Sequence, residues 1–376
     1  MSNSRNVAPE ARPKAVVVAV QLPDVTDEAF ASSLTELERL AHTLGLDTVA
    51  RVTQRRGALD KSAVVGEGKL KELAAFTGGT GVVPSYTKKP HVDEQWEEQQ
   101  AAADGGEVTS VTVVLVDHDL SPGQTRNLER ATGAEVLDRS MVILSIFQRH
   151  ARTREARMQV EIAQLAYMAP RLRESNAGQD RQRGGIGGKG AGETSLELDR
   201  RRIRDRIAEL RRELANVERE AETRRTRRSS SDASTVALLG YTNAGKSSLM
   251  RALTGDAVYV ADQLFATLDT TVRVLTPLTR PRILVSDTVG FIKKLPHDLV
   301  ASFRSTLAEA RDADLLLHVV DASDPAFRDQ LNVTLEVLRE IGADTQPRLL
   351  LLNKLDKVPE DAQQELAREF PDAFGL

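Results

Sequence analysis

Residues Gly240–Ser247 have the types and spacing that bind phosphate groups. Their sequence, GYTNAGKS, fits the pattern G-x-x-x-x-G-K-[ST] and lies between a predicted strand and a predicted helix, which is the context this pattern requires. Backbone N–H groups of such a loop stabilise phosphate anions. We expect Lys246 to neutralise the β- and γ-phosphates and the Ser247 hydroxyl to ligate Mg²⁺. The expected nucleotide-contacting residues of this loop are Gly240, Tyr241, Thr242, Asn243, Ala244, Gly245, Lys246 and Ser247.

A second motif, DTVG, directly follows the apolar run RILVS and consists of Asp287, Thr288, Val289 and Gly290. An acidic residue at the carboxyl end of a strand can hold Mg²⁺ through water. A glycine beside the γ-phosphate lets its backbone N–H approach closely. The motif therefore predicts a second wall of the same phosphate site.

A third motif, NKLD, follows another strand-like run and consists of Asn353, Lys354, Leu355 and Asp356. The carboxylate of Asp356 can accept two hydrogen bonds from the N1–H and N2–H₂ edge of guanine. Adenine has neither donor, so a carboxylate at this position would be left unpaired against it. We expect Asn353 to fix the base region and Lys354 to pack over the ring. The three motifs in this order predict a site for GTP rather than ATP.

Two further positions bear on the chemistry between these motifs. A threonine that completes Mg²⁺ coordination is expected in LFATLDTTVR, where the pattern alone leaves Thr267, Thr270 and Thr271 open. The residue after DTVG is Phe291, where many small GTPases carry a water-orienting glutamine. A phenyl ring cannot hydrogen-bond water, so we expect slow intrinsic hydrolysis, with the catalytic residue unknown. Core packing is the alternative role for Phe291.

Alternating apolar runs and helix-length stretches position these motifs. From Thr235 onward, short runs rich in valine and leucine predict a parallel sheet covered on both faces, within a domain spanning 235–376. Residues 14–150 show the same alternation, with a strand at 15–20, a helix over 28–44 and a strong strand within 111–124. The fold class is therefore α/β, with a separate N-terminal α/β domain.

Residues 151–228 differ from both neighbours because their apolar residues recur at alternating four- and three-residue spacings. One such seam consists of Met158, Ile162, Leu165, Ala169 and Leu172, and the other of Ile203, Ile207, Leu210, Leu214 and Val217. A glycine-rich stretch separates the seams and is not expected to be helical. The simplest structure is an antiparallel helical hairpin with a basic, glycine-rich loop at 173–195, and 224–234 then reads as a linker.

Composition restricts the chemistry and the location. The chain of 376 residues has no cysteine, which excludes disulfides, zinc–thiolate sites and thiol catalysis. No run is apolar enough to span a bilayer, so we expect a soluble, cytoplasmic protein. Separately, we expect the protein to be a monomer. The net charge is −4, yet 21 Lys and Arg stand against 13 Asp and Glu between Arg149 and Arg228. This asymmetry indicates either a contact with a polyanion or a solvated helix with its own ion pairs.

With the motifs placed, the chain resembles the HflX family of ribosome-associated GTPases. The resemblance rests on GYTNAGKSSL, LFATLDTTVR, DTVGFIKKLPHDL and GGIGGKGAGETSLELDRRRIRDRI, and on VVGEGKLKEL and DHDLSPGQTRNLE in the N-terminal domain. It implies that the threonine of the Mg²⁺ site is Thr267, beside Ser247. The resemblance also implies that one more segment contacts the nucleotide, namely Phe265, Ala266, Thr267, Leu268 and Asp269.

The same resemblance implies a partner. In such proteins the N-terminal domain and hairpin contact the large ribosomal subunit, and family members split or rescue stalled ribosomes, notably under stress. The rRNA phosphates would then be contacted by Arg171, Arg173, Arg181, Arg183 and Lys189.

The sequence departs from the family pattern at two places. Thr270 stands where the family usually has proline. The sequence ends 20 residues after Asp356, so we expect a doubly wound P-loop GTPase sheet lacking its last strand. Two other functions stay open: an ATP- or GTP-dependent RNA-remodelling enzyme, which NKLD opposes, and a non-hydrolysing RNA-binding protein with a degenerate nucleotide site.

Overall fold

The computed structural model describes residues 12–83, 111–175, 195–229, 233–255, 264–265, 267–268, 271–294 and 309–376. The chain forms two compact units, 1–142 and 143–376. No helix in these described ranges is long and apolar enough to cross a membrane.

The first unit contains a four-stranded, fully parallel sheet in the order β2-β1-β3-β4. Its elements are β1 Lys14–Gln21, α1 Asp27–Thr43, β2 Asp47–Arg55, α2 Glu67–Thr77, β3 Val113–Val116, α3 Pro122–Thr132 and β4 Glu135–Asp138. The next helix, α4 Arg139–His150, begins in this unit, and its residues from Ile143 onward belong to the second unit. β1 is apolar along almost its whole length because helices cover both faces of a parallel sheet. The strand expected at 15–20 and the helix expected over 28–44 are confirmed by β1 and α1.

A buried ion-pair network joins three elements of this unit. The guanidinium of Arg139 donates to Glu36 and, over 2.8 Å, to Asp117, and the Arg139 side chain is 2% exposed. Asp117 also accepts the hydroxyl of Ser33 at 2.6 Å. The network ties α1, β3 and α4 together at the carboxyl end of the sheet.

We expect Arg139→Met to destabilise the first unit by about 3–5 kcal/mol, because it leaves two buried carboxylates without their counter-ion. Hydrogen–deuterium exchange should show faster exchange in β1 and β3. The matched control is Arg55→Ala, which removes an arginine from a solvent-exposed pair with Asp27 and should leave exchange unchanged. Equal effects of the two substitutions would contradict a structural role for the buried network.

In the second unit, two long helices form a hairpin: α5 Arg154–Ser175 and α6 Ser195–Ser229. Met158, Ile162 and Leu210 are buried at its seam, with Leu165, Ile207, Leu214 and Val217 packed against them. Glu161 pairs with Arg206 at 2.8 Å, and Arg154 with Glu213 at 2.7 Å. Moving back along α5 therefore means moving forward along α6, so the helices are antiparallel, as the sequence predicted.

The helices extend beyond the ends predicted for them. α5 continues through Pro170 to Ser175, so residues 173–175 are helical instead of belonging to the loop. α6 continues to Ser229, through much of the expected linker. These terminal segments contain good helix formers, and glycine begins only at Gly178.

The turn between α4 and α5 is short and hydrogen-bonded. Ala151 N–H donates to the carbonyl of Phe147 at 2.8 Å, which closes α4. The Thr153 hydroxyl accepts the N–H of Ala156 at 3.1 Å, and the Arg157 side chain donates to the Ala151 carbonyl at 3.3 Å. Three residues therefore connect the last turn of α4 to the first turn of the hairpin.

The rest of the second unit is a six-stranded sheet in the order β10-β9-β8-β5-β7-β6, parallel except for β6. Its elements are β5 Ser234–Gly240, α7 Lys246–Thr254, β6 Thr271–Val274, β7 Ile283–Asp287, β8 Leu315–Asp321, α8 Phe327–Glu340, β9 Arg348–Asn353, a 3-10 turn Leu355–Lys357, α9 Glu360–Glu369 and β10 Phe374–Gly375. The expected α/β class with a P-loop sheet is confirmed.

The expectation that this sheet lacks its last strand is wrong. β10 pairs in parallel with Leu351 and Leu352 of β9. The Leu376 N–H donates to the Leu352 carbonyl at 2.9 Å, and the Leu376 carbonyl accepts the N–H of Leu355 at 3.0 Å. The sequence signal failed because a two-residue strand is too short for the alternation by which strands are recognised.

Candidate nucleotide site

The three motifs meet at one edge of the six-stranded sheet. GYTNAGKS connects β5 to α7, DTVG begins at the last residue of β7, and NKLD begins at the last residue of β9. All three strands are parallel and present their carboxyl ends to this edge. In open α/β sheets, ligands bind in the crevice outside these ends.

The phosphate-binding loop has backbone angles that its sequence permits. Gly245 has φ 101°, and a Cβ there would collide with the side-chain amide of Asn353. Asn243 has φ 61°, a conformation that asparagine tolerates better than most residues. Thr242 N–H donates to the carbonyl of Phe291 at 2.8 Å, so the loop is also fastened to the chain after DTVG.

Lys246 lies buried beneath the loop. Its Nζ donates to the carbonyls of Gly240 at 3.1 Å and Tyr241 at 2.8 Å. Burial lowers the pKa of the Lys246 ammonium to about 8, against the opposing effect of the Asp287 carboxylate. A Cβ at Gly290 would stand 2.8 Å from the backbone Cα of Thr242 and 2.9 Å from Nζ, so a larger residue would push the DTVG segment away from the loop. A phosphate here would favour the charged ammonium.

Three oxygen-bearing side chains converge beside Lys246. Ser247 Oγ lies 2.7 Å from Thr267 Oγ1 and donates to Asp287 Oδ2 at 2.8 Å. Asp287 Oδ1 is buried and has no hydrogen-bond partner among the described residues. Burial raises the pKa of the Asp287 carboxyl, with Lys246 opposing. Two hydroxyls and a carboxylate with a free buried oxygen are hard oxygen donors of the kind that Mg²⁺ takes, so these residues fit the ion.

Of the three candidate threonines, Thr267 is the one that the structure brings to Ser247 and Asp287. Thr271 is the first residue of β6, and Thr270 lies outside the described residues. In the predicted segment around Thr267, Phe265 and Leu268 are buried, whereas Ala266 and Asp269 lie outside the described residues.

The NKLD residues brace the phosphate-binding loop. The Asn353 side-chain amide donates to the Ala244 carbonyl at 2.8 Å. Lys354 Nζ donates to the Asn243 carbonyl at 2.9 Å and to Asp321 Oδ2 at 2.6 Å. Asp356 lies exposed in the 3-10 turn that follows β9.

Other predicted residues have structural partners. The Thr288 hydroxyl is buried and donates to the Leu238 carbonyl at 2.7 Å, and Val289 is also buried. Tyr241 is buried, and its hydroxyl accepts the N–H of Lys293 at 2.6 Å. Leu355 packs against the buried cluster beneath α8 and α9. These residues shape the walls of the site.

Phe291 is buried and hydrogen-bonded through its backbone, since its N–H donates to the Gly240 carbonyl at 3.1 Å. The sequence left open whether Phe291 bears on hydrolysis or serves core packing, and these contacts favour core packing.

Sequence reasoning missed Asp321, the last residue of β8 and the carboxylate partner of Lys354. The sequence did contain a signal for it, because an acidic residue directly follows the apolar, strand-like run LLLHVV, as Asp287 follows RILVS. Phe147 and His150, which contact Phe265, carried no such signal.

Of the five basic residues expected to contact RNA, only the Arg171 side chain is described. Its guanidinium lies 3.3 Å from the centre of the Tyr167 ring and donates to the Tyr167 carbonyl at 3.0 Å. Arg173 belongs to α5, but its side chain is outside the described set, and so are Arg181, Arg183 and Lys189 altogether.

Family models match consecutive parts of the chain. The model described as "GTP-binding GTPase N-terminal" matches residues 31–83 and 94–148, and "GTP-binding GTPase Middle Region" matches 150–228. The model described as "50S ribosome-binding GTPase" matches 235–354.

Curated relatives match across nearly the whole length. The GTPase HflX of Gluconacetobacter diazotrophicus is 58% identical over 371 residues, which cover 97% of this chain and 81% of that protein. The GTPase HflX of Escherichia coli is 42% identical over 344 residues, which cover 92% of this chain and 74% of that protein.

A solved structure, the SsGBP and GDP complex, matches with a TM-score of 0.50 at 23% identity, covering 97% of this chain and 92% of that one. It supports the fold alone. Together with the motifs gathered at the sheet edge and the identity to its relatives, the comparisons establish that this chain belongs to the HflX family of ribosome-associated GTPases and is a GTP-binding hydrolase.

Proposed function

We propose that this GTPase binds the large ribosomal subunit and couples GTP binding and hydrolysis to the splitting or rescue of stalled ribosomes. The helical hairpin is the feature of the structure that supports this proposal most directly. Its two antiparallel helices, of 22 and 35 residues, flank a segment that contains Arg181, Arg183 and Lys189. At about 1.5 Å per residue the helices are long enough to carry a basic segment well away from their bases.

In the nucleotide site, Mg²⁺ would be held by the hydroxyls of Ser247 and Thr267, with Asp287 accepting from a bound water. When bound, the ion neutralises charge that develops on the phosphates. Lys246 would contribute a cation from beneath the loop, and the Gly290 N–H would donate to the terminal phosphate. Asp356 would read the guanine edge, while Asn353 and Lys354 keep the loop against the base-binding turn.

Intrinsic hydrolysis should be slow and should accelerate on the ribosome. Phe291 offers no polar atom to orient the attacking water, and its ring is packed into the protein. An external element that orders the site, which we assign to the ribosome, would then set the rate.

The decisive experiment measures binding and hydrolysis of GTP and ATP, with and without large ribosomal subunits. We expect GTP to be preferred and its hydrolysis to be stimulated by the subunits. Comparable use of ATP would support the RNA-remodelling alternative, and RNA binding without hydrolysis would support the non-hydrolysing one.

Substitution of Arg171, Arg173, Arg181 and Arg183 with alanine should weaken large-subunit binding and flatten its salt dependence, because fewer counter-ions are released. Each lost phosphate contact should reduce the slope of log affinity against log salt by roughly 0.7–0.9. Binding measured across a salt series gives both quantities, and GTP affinity should stay unchanged.

A control with the same loss of charge separates local contacts from net charge. It replaces Arg280, Arg282, Arg311 and Arg339, which are all exposed in the GTPase domain. If both fourfold variants had the same affinity and slope, the RNA-contact assignment would be wrong.

A further inference from the structure

The final turns of α4 pack against the segment that leads to Thr267. The ring of Phe147 meets the ring of Phe265 edge to face, with centroids 4.6 Å apart and an interplanar angle of 86°. Both side chains are buried, Phe147 at 0% exposure and Phe265 at 2%. Edge-to-face aromatic pairs have a preferred geometry, so this contact restricts where the Phe265 backbone can lie.

His150, one turn later on α4, interacts with the backbone of the same residue. Burial lowers the pKa of the His150 imidazole, and hydrogen bonding to the Phe265 backbone opposes that shift. Nδ1 is buried and has no hydrogen-bond partner among the described residues, which leaves Nε2 for the Phe265 backbone.

Phe265 needs such support because its backbone is in the left-handed region, with φ 58°. A bulky aromatic residue is rarely found there, and it stays only where its surroundings hold it. Two residues later, the Thr267 hydroxyl lies 2.7 Å from Ser247 Oγ. Phe265 therefore lies two residues from a hydroxyl of the oxygen cluster, so a shift of its backbone is expected to move that hydroxyl.

We propose that Phe147 and His150 are positioning residues for GTP hydrolysis: they hold the Phe265 backbone so that Thr267 presents its hydroxyl to the Ser247–Asp287 cluster. The proposal rests on the assignment of Thr267 to Mg²⁺ made under Proposed function. It adds that residues of α4, outside the six-stranded sheet and its loops, act on the Mg²⁺ site through Phe265.

The test compares Phe147→Ala, His150→Ala and Thr267→Ala in the full chain. Single-turnover hydrolysis is followed across a Mg²⁺ series, and affinities are measured for GDP and for a non-hydrolysable GTP analogue. We expect the Mg²⁺ concentration for half-maximal rate to rise roughly tenfold in both α4 variants, as when residues that orient metal ligands are lost. Affinity for the analogue should fall while GDP affinity stays the same, because this threonine segment is ordered by the γ-phosphate and Mg²⁺.

Two further variants separate positioning from general stability. His150→Gln keeps a side-chain donor and should restore much of what His150→Ala loses. Leu210→Ala, which removes a buried side chain from the hairpin seam, should retain wild-type Mg²⁺ dependence. His150 is half-buried, so its variants still provide the test if Phe147→Ala fails to fold.

The outcomes distinguish the positioning role of Phe147 and His150 from the assignment of Thr267 to Mg²⁺. If Thr267→Ala alters the Mg²⁺ dependence and both α4 variants match the wild type, the positioning role is overturned. If Thr267→Ala itself matches the wild type, the Mg²⁺ assignment fails.

Discussion

Replacement of Asp356 by asparagine should reverse the nucleotide preference from GTP to xanthosine triphosphate. The carboxylate would accept from N1–H and N2–H₂ of guanine, whereas an asparagine amide would donate to the 2-oxo group of xanthine. Asp356 is exposed, and a bound base would cover it, so a mismatched base would leave its polar group unpaired, which is how sites that read a base by hydrogen bonds discriminate strongly. We expect GTP affinity to fall by roughly two to four orders of magnitude.

Competition binding with GTP, ATP and xanthosine triphosphate measures this change directly. The matched control is Asp361→Asn, which removes the same charge from an exposed position in the first turn of α9. It should keep the GTP preference. The assignment of Asp356 would be wrong if the wild type bound ATP as tightly as GTP, or if both variants behaved alike.

Loss of either Lys246 or Ser247 should abolish nucleotide-dependent behaviour. Lys246→Ala removes the buried cation beneath the phosphates, and Ser247→Ala removes a hydroxyl from the cluster with Thr267 and Asp287. Removal of one preorganised group that stabilises developing charge typically costs roughly 10²- to 10³-fold in rate. Single-turnover hydrolysis and GTP binding give the two readouts.

Ser248→Ala provides the control, since Ser248 is the exposed neighbour of Ser247 on α7. Hydrogen–deuterium exchange in the first unit, 1–142, should be unchanged in all three variants because the substitutions lie in the other unit. Unchanged GTP affinity in both Lys246→Ala and Ser247→Ala would contradict the phosphate-binding role of this loop.

The sequence contained most of the information about this site because its signals are local. GYTNAGKS, DTVG and NKLD each combine a strand end with residues of defined chemistry, and parallel strands bring such ends together. The seams of the hairpin could also be predicted from the sequence, since the spacing of Met158, Ile162 and Leu165 repeats along one helix face. The structure places the hairpin partners and the three motifs accordingly.

What the sequence did not reveal depends on contacts between distant residues. Nothing in the local pattern around Arg139 shows that it is buried against Glu36 and Asp117, because charged residues are usually solvated. The Phe147–Phe265 contact is likewise invisible, since both residues look like ordinary core aromatics in their own segments.

The hydrogen-bonded turn between α4 and α5 lies between the hairpin and the residues that pack beside the nucleotide site. Phe147 closes α4 through Ala151 and also packs on Phe265, while Arg157 of the hairpin donates to Ala151. If the hairpin binds RNA as proposed and that binding strengthens GTP binding by some factor, linkage requires GTP to strengthen RNA binding by the same factor. If GDP lacked this effect, hydrolysis would remove the gain, and the affinity of the proposed RNA contact would fall when the γ-phosphate is lost.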